Sequence, residues 1–198
     1  YATHVVKDVR IGLDWKVWVA LDHGVVHPSW AGLFTEDNDG VVYLVDEHCQ
    51  SRLLVADTVE CLDGMLGRHG IPRNRLSKVV AGRDVFGTEL DGGSVAKDYE
   101  SHGWLLTGAN VDRVNGAAEI LRRLGGQALE VVRRPTVYVA ERCVNLIECL
   151  PRMGHDPTCP EDVDKVNADE DGRNGDDAYD GFRYGIMEAR KSPSLILD

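Results

Sequence analysis

Aspartates recur in this chain where an α/β fold would gather them. Asp22 closes the apolar run Val17–Asp22 (VWVALD), and Asp84 closes Lys78–Asp84 (KVVAGRD). Gly175–Gly185 (GDDAYDGFRYG) then places Asp176, Asp177 and Asp180 within one short stretch, followed at once by Arg183 and Tyr184. Sites in α/β sheets form beyond the carboxyl ends of strands. If the first two runs are neighbouring strands, Asp22 and Asp84 share a rim. Crowded carboxylates raise one another's pKa unless a cation lies between them. Hard oxygen donors suit Mg²⁺ or Mn²⁺. Two such ions about 3.5–4 Å apart activate water and stabilise the leaving oxygen in phosphodiester cleavage. Each acid alone has a plain structural reading: a strand-end aspartate, or an acidic first turn that complements a helix dipole. The three separated positions together point to metal.

The elements that must position these acids are legible. Val17–Asp22, Ser29–Phe34 and Val41–Glu47 read as strands, with Glu36–Gly40 (EDNDG) as a hairpin turn. Val55, Val59, Leu62 and Leu66 mark a helix over about 53–68, stopped by His69–Pro72. Lys78–Asp84, Trp104–Gly108 and Thr136–Ala140 read as further strands. Helices follow over about 94–101, along Val111, Val114, Ala118 and Leu121, along Cys143, Leu146, Ile147 and Leu150, and over about 176–190. The last helix would carry Asp176, Asp177 and Asp180 on one face, with Ala178, Tyr179, Phe182 and Ile186 roughly opposite. Residues 152–175 are polar and read as loop. Three antiparallel strands followed by alternating helices and strands give a mixed sheet flanked by helices. That order is the ribonuclease H-like architecture, an α/β fold that joins an antiparallel meander to parallel strands.

Composition narrows the class. The chain has 198 residues and a net charge of −11, one domain's worth of sequence over 1–198. No apolar run is long enough to span a membrane. A protein that merely coats nucleic acid is basic, so contact with DNA must be local or go through metal. Basic residues cluster at Arg68, Arg73, Arg75 and Lys78, and again at Arg122, Arg123, Arg133 and Arg134. The second group is a candidate to track a DNA backbone, although solvated helix ends explain any one member. The five cysteines form no C-x-x-C pair and read as reduced residues. Asn167–Gly172 (NADEDG) imitates a calcium loop, but its twelfth position falls on Ala178, where a bidentate glutamate is needed. His23 and His27 lie beside the first acid and read as turn or surface residues. Trp30 and Trp104 read as core.

These residues resemble a known family. Ala20–Phe34 (ALDHGVVHPSWAGLF) resembles the first nuclease motif of the large terminase subunits of tailed bacteriophages: an apolar strand, Asp-aromatic-Gly, then Pro-Ser/Thr. Val41–Glu47 resembles their third strand, Val79–Gly87 their second motif, and Gly175–Ile186 their third. Val137–Met153 resembles the segment before that third motif, so the likeness covers nearly the whole chain. His23 stands where an aromatic is usual, and Asp177 where some relatives carry His. Asp14, in Gly12–Trp15, imitates the first motif but lacks its glycine and its Pro-Ser.

The resemblance implies a divalent-metal-dependent endonuclease that cuts concatemeric double-stranded viral DNA during packaging. By carry-over, Asp22, Asp84, Asp177 and Asp180 are its catalytic, metal-binding residues for two Mg²⁺ or Mn²⁺ ions. Asp22 and Asp84 would hold one ion, and Asp22 with Asp177 and Asp180 the other. Glu47 would stand behind them, Asp176 would be a neighbour or a helix cap, and Arg183 would hold a carboxylate or reach the scissile phosphate. The implied partners are DNA, an ATPase domain of the same polypeptide, a small terminase subunit and a portal, in the cytoplasm of an infected bacterium. No phosphate-binding G-x-x-x-x-G-K-[ST] occurs, and the chain opens on Tyr1. It therefore reads as a piece that leaves the motor elsewhere. The alternatives are a non-catalytic acidic docking module, a junction resolvase of the same fold, and a calcium-stabilised acidic domain.

Overall fold

The computed structural model describes residues 3–88, 93–128, 131–166 and 175–190. Its main sheet has seven strands. The middle is the meander β2 (Lys16–Asp22), β3 (Ser29–Glu36) and β4 (Val42–Gln50), antiparallel throughout. β5 (Lys78–Ala81) adds to β2 in parallel, and β6 (Thr107–Gly108) to β5. On the other edge β9 (Val137–Ala140) pairs in parallel with β4, and β1 (Val5–Val6) with β9. The order across the sheet is β1-β9-β4-β3-β2-β5-β6. The mixed sheet expected from the element order is therefore present. β3 is buried at every position, as a central strand covered on both faces must be. The β3–β4 turn closes at Gly40, whose φ of +81° suits glycine, and Asp37 Oδ1 accepts from Asp39 N and Val41 N at 2.9 Å.

One face carries α1 (Val55–Arg68) with α2 (Val95–Ser101). α5 (Asp177–Glu188) lies against β2 and β3 on the other, flanked by α3 (Arg113–Leu124) and α4 (Val144–Cys149). Register fixes which side chain meets which face. In β4, Glu47 lies opposite Gly32 and shares the face of Trp30, whereas Asp46 lies opposite Leu33 and points to the α1 side. There Asp46 meets Arg68 Nε and His69 Nε2, both at 2.9 Å. Burial alone would raise the Asp46 carboxyl, but the bonds from His69 and Arg68 and the Arg68 charge prevail and bring it down to about 2.

Asp46 therefore supports the fold only when ionised. Its contribution is about 2 kcal/mol above its unfolded pKa and is lost as pH falls from about 4 towards 2. Asp46→Asn should lower the urea midpoint at pH 7. The gap from wild type should narrow below pH 4, and a gap constant with pH would contradict this account.

Several expectations shift. The strand before Asp84 ends at Ala81, and Asp84 lies in a 3₁₀ turn, Arg83–Phe86, rather than at the strand end. Of Trp104–Gly108 only Thr107–Gly108 pairs. α3 is rotated from its anticipated face: it buries Gly116, Ala117, Ile120 and Arg123 and leaves Leu121 61% exposed. The reason is close approach at Gly116, where a Cβ would come within 2.6 Å of the Arg183 stem. The short hairpin β7 (Gly126–Ala128) with β8 (Val131–Arg133), and the edge strand β1, had no clear periodic signal. The calcium-loop imitation at 167–172 lies outside the described residues.

Candidate metal centre

Parallel pairing of β2 with β5 sets Leu21 beside Ala81, so the segments leaving both strands emerge at one rim. Asp22 is the last residue of β2, and Asp84 follows β5 by one tight turn. Gly82 lies between them. A Cβ built there would be 2.5 Å from Asp84 Oδ1, 3.4 Å from Asp22 Oδ1 and 3.5 Å from the Tyr184 hydroxyl. The two carboxylate oxygens are thus no more than about 6 Å apart, and they converge where glycine leaves room. Asp14 precedes β2 at its opposite end, exposed, with its carboxylate on Asn38 Nδ2 at 2.6 Å. The strand between separates it from Asp22.

α5 delivers the remaining acids. Gly181 and Gly185 face the sheet: a Cβ at Gly181 would come within 2.2 Å of Trp30, and one at Gly185 within 2.2 Å of Phe34. The helix backbone lies directly on these rings, and Trp18 Nε1 donates to Gly185 O at 3.1 Å. Phe34 stacks on both Trp18 and Phe182. This approach carries the first turn of α5, with Asp177 and Asp180, to the rim that holds Asp22. Asp176 occupies the N-cap position, yet its side chain makes no capping bond.

The site is electrostatically loaded. Burial pushes Asp22 well above the ordinary carboxylate range, and the charges of Asp180, Asp177, Asp84 and Asp176 push it further. Asp177 is raised by burial and then by Asp176, with the His27 charge pulling it back. Asp176 is raised by burial and then by Asp180. Acids from three parts of the chain therefore oppose the ionisation of Asp22. That arrangement is costly without a cation and fits hard divalent ions. Among the described residues no three acids, histidines or cysteines are drawn close enough to make a ready cage. Asp180 is instead held by arginines: Arg183 Nη2 donates to its Oδ1 at 2.9 Å, and Arg113 Nη1 lies 3.7 Å from its Oδ2.

Supporting groups surround the acids. Glu47 accepts from Trp30 Nε1 at 2.9 Å and from Asn145 Nδ2 at 2.9 Å, and the backbone N–H groups of Asn145 and Leu146 also reach it. It locks the Trp30 ring and the start of α4 together. Burial raises its carboxyl, and these bonds pull it back. Tyr184 is 7% exposed, and among the described residues its hydroxyl has no hydrogen-bond partner. His23 Nδ1 lies 3.0 Å from the Tyr99 hydroxyl, a packing role, while His27 is exposed.

Two members of the second basic group, Arg122 and Arg123, are not free cations. Arg123 is fully buried, pairs with Glu119 at 2.8 Å and donates to Arg190 O, and Arg122 also pairs with Glu119. Burial raises the thiols of Cys49 to about 12 and Cys149 to about 11, so both are protonated at neutral pH. All five cysteines are free. No described helix is long and apolar enough to cross a membrane.

Sequence reading missed Gly181, Gly185 and Arg113. The i, i+4 glycine pair inside an aromatic helix was a readable sign of close approach. Arg113 meets Asp180 across a long stretch of chain with no local mark.

Known structures share this fold. The P22 large terminase nuclease domain superposes with a TM-score of 0.68 at 22% identity, over 94% of this chain and 87% of that one. The large terminase nuclease from thermophilic phage G20c with bound cobalt gives 0.56 at 15% identity, over 94% and 87%. The large terminase of another thermophilic bacteriophage gives 0.66 at 18% identity over 93% of this chain, which spans 42% of that longer protein. No protein-family model and no curated protein sequence matches the chain. The ribonuclease H-like fold expected from the element order is the fold these nuclease domains share.

Proposed function

We propose that this chain is the nuclease domain of a phage large terminase subunit, and that it cleaves double-stranded DNA during genome packaging. The supporting observation is the convergence of Asp22 and Asp84 beyond two adjacent parallel strands, faced by the acidic first turn of α5. Asp22, Asp84, Asp177 and Asp180 would hold Mg²⁺ or Mn²⁺. Such ions, when bound, supply an activated water and charge stabilisation for phosphodiester hydrolysis. The chain's own groups arrange the acids. Arg183 and Arg113 fix Asp180, Glu47 fixes the ring on which α5 rests, and Gly82 keeps the space between Asp22 and Asp84 clear. The Tyr184 hydroxyl, near that space and unpartnered among the described residues, is a donor for a substrate phosphate. By the same reading the chain works with an ATPase domain of its own polypeptide, a small terminase subunit and a portal, in the host cytoplasm.

Supercoiled plasmid provides the test. Wild type with Mn²⁺ or Mg²⁺ should nick and linearise it, and EDTA should prevent this. Asp84→Asn should lose at least about 10²-fold in rate, because even groups that only orient metal ligands cost about 10–100-fold. Asp14→Asn should cut as wild type does. A second reading draws on the hold of Arg183 and Arg113 on Asp180: a non-catalytic acidic module that docks within a packaging complex. Folded protein that cuts under no metal would favour that reading over the nuclease.

A further inference from the structure

A basic cleft lies on the α1 side of the sheet, away from α5 and its acids. It encloses about 320 Å³ and is lined by Arg10, Arg68, Arg75, Arg142, His69 and Asp8, among others. Asp46, which binds Arg68 and His69, points away from the face that Glu47 and Trp30 share with α5. The cleft is therefore separate from the acidic rim.

Its charge is out of keeping with a chain of net charge −11. Four guanidinium groups line the cleft beside one carboxylate, Asp8, and Asp46 stands behind Arg68 and His69. Asp46 takes Arg68 and His69 at 2.9 Å and Arg142 at 3.5 Å, while Asp8 turns back on Val9 N at 2.9 Å. One buried carboxylate explains Arg68 and His69. It does not explain Arg10, which makes no hydrogen bond or ion pair among the described residues. Arg68 uses only its Nε, and Arg75 donates one Nη to Gly12 O. Several N–H donors with fork geometry thus surround one concavity, more than Asp46 and Asp8 take up.

We propose that this cleft binds a small oxyanion ligand of the pyrophosphate class, with two or more adjacent phosphate groups. Guanidinium forks match phosphate oxygens in pairs. A volume near the lower end of ligand pockets admits a diphosphate moiety but no duplex. The polar lining suits a ligand that is charged throughout. The phosphates are those of free pyrophosphate or of a nucleoside diphosphate.

Titration calorimetry and thermal shift in EDTA test this without involving the acidic rim. Pyrophosphate should bind wild type at one site, raise its Tm and weaken steeply with added salt. Arg10→Glu with Arg142→Glu should weaken binding at least 10-fold while the circular dichroism spectrum is retained. Arg134→Glu, an exposed charge elsewhere, should leave it intact. ADP binding with adenosine inert assigns the diphosphate of a nucleotide, and pyrophosphate binding with ADP inert assigns the free anion. No binding of pyrophosphate or ADP to wild type, equal affinity in the double variant, or binding of duplex DNA alone would overturn the proposal.

Discussion

Asp22→Asn is expected to abolish metal-dependent cleavage and, in EDTA, to make the protein more stable. The two effects share one cause. Burial and four neighbouring carboxylates hold the Asp22 pKa well above its unfolded value. A raised carboxyl binds more protons folded than unfolded, so its ionisation opposes folding as pH rises through that window. Asparagine removes the charge and keeps the shape. A gain of about 1 kcal/mol would raise Tm by about 2–4 °C in a chain of this size. Mn²⁺ should raise the Tm of wild type and leave the variant nearly unmoved. The rate should fall at least about 10²-fold. An Asp22→Asn protein that cuts normally, or one that is less stable than wild type in EDTA, would remove the electrostatic account of this site.

The second large effect concerns a residue with no side chain. Gly181→Ala should lower activity by about 10²-fold and stability by about 1–3 kcal/mol. In an exposed helix the same change favours folding by about 0.5–1 kcal/mol. At Gly181 the new methyl would meet Trp30 at 2.2 Å, and Trp30 is held by Glu47 at 2.9 Å. The ring cannot yield cheaply, so the helix must retreat and take Asp177 and Asp180 from the rim. Gly67→Ala in α1, where nothing lies within 4 Å, provides the control and should stabilise. Paired urea melts and plasmid assays read both variants. A Gly181→Ala protein with wild-type rate and midpoint would show that the close approach is dispensable.

Much of the frame was legible because it rests on local pattern. Alternation in β2 and β4, the turn at 36–40 and the breaks at Pro72 and Gly125 gave strands and helices near their observed bounds. The shared rim for Asp22 and Asp84 was legible only on the condition that β2 and β5 are neighbours, and their parallel pairing meets it. What escaped depends on tertiary contact. Asp84 left its strand for a 3₁₀ turn because β5 pairs only through Ala81. α3 turned its face because Gly116 receives Arg183. Arg123, readable as a surface cation, is buried because Glu119, Gly40 O and Arg190 O satisfy it. Asp46 and Glu47 are adjacent in sequence and serve opposite faces, a division visible only once register is known.

The seat of α5 on Trp30 and Phe34 also bears on how the protein is made. Asp22 and Asp84 leave the ribosome before the helix that carries Asp177 and Asp180. Until that helix arrives, the ring platform on β3 has no cover and the acidic set is half complete. A chain whose synthesis stops before residue 177 holds Asp22 and Asp84 without their facing acids. Order of synthesis thus acts as a safety catch: on the proposed reading, the capacity to cut DNA arises only in a chain that has been made through its last described helix.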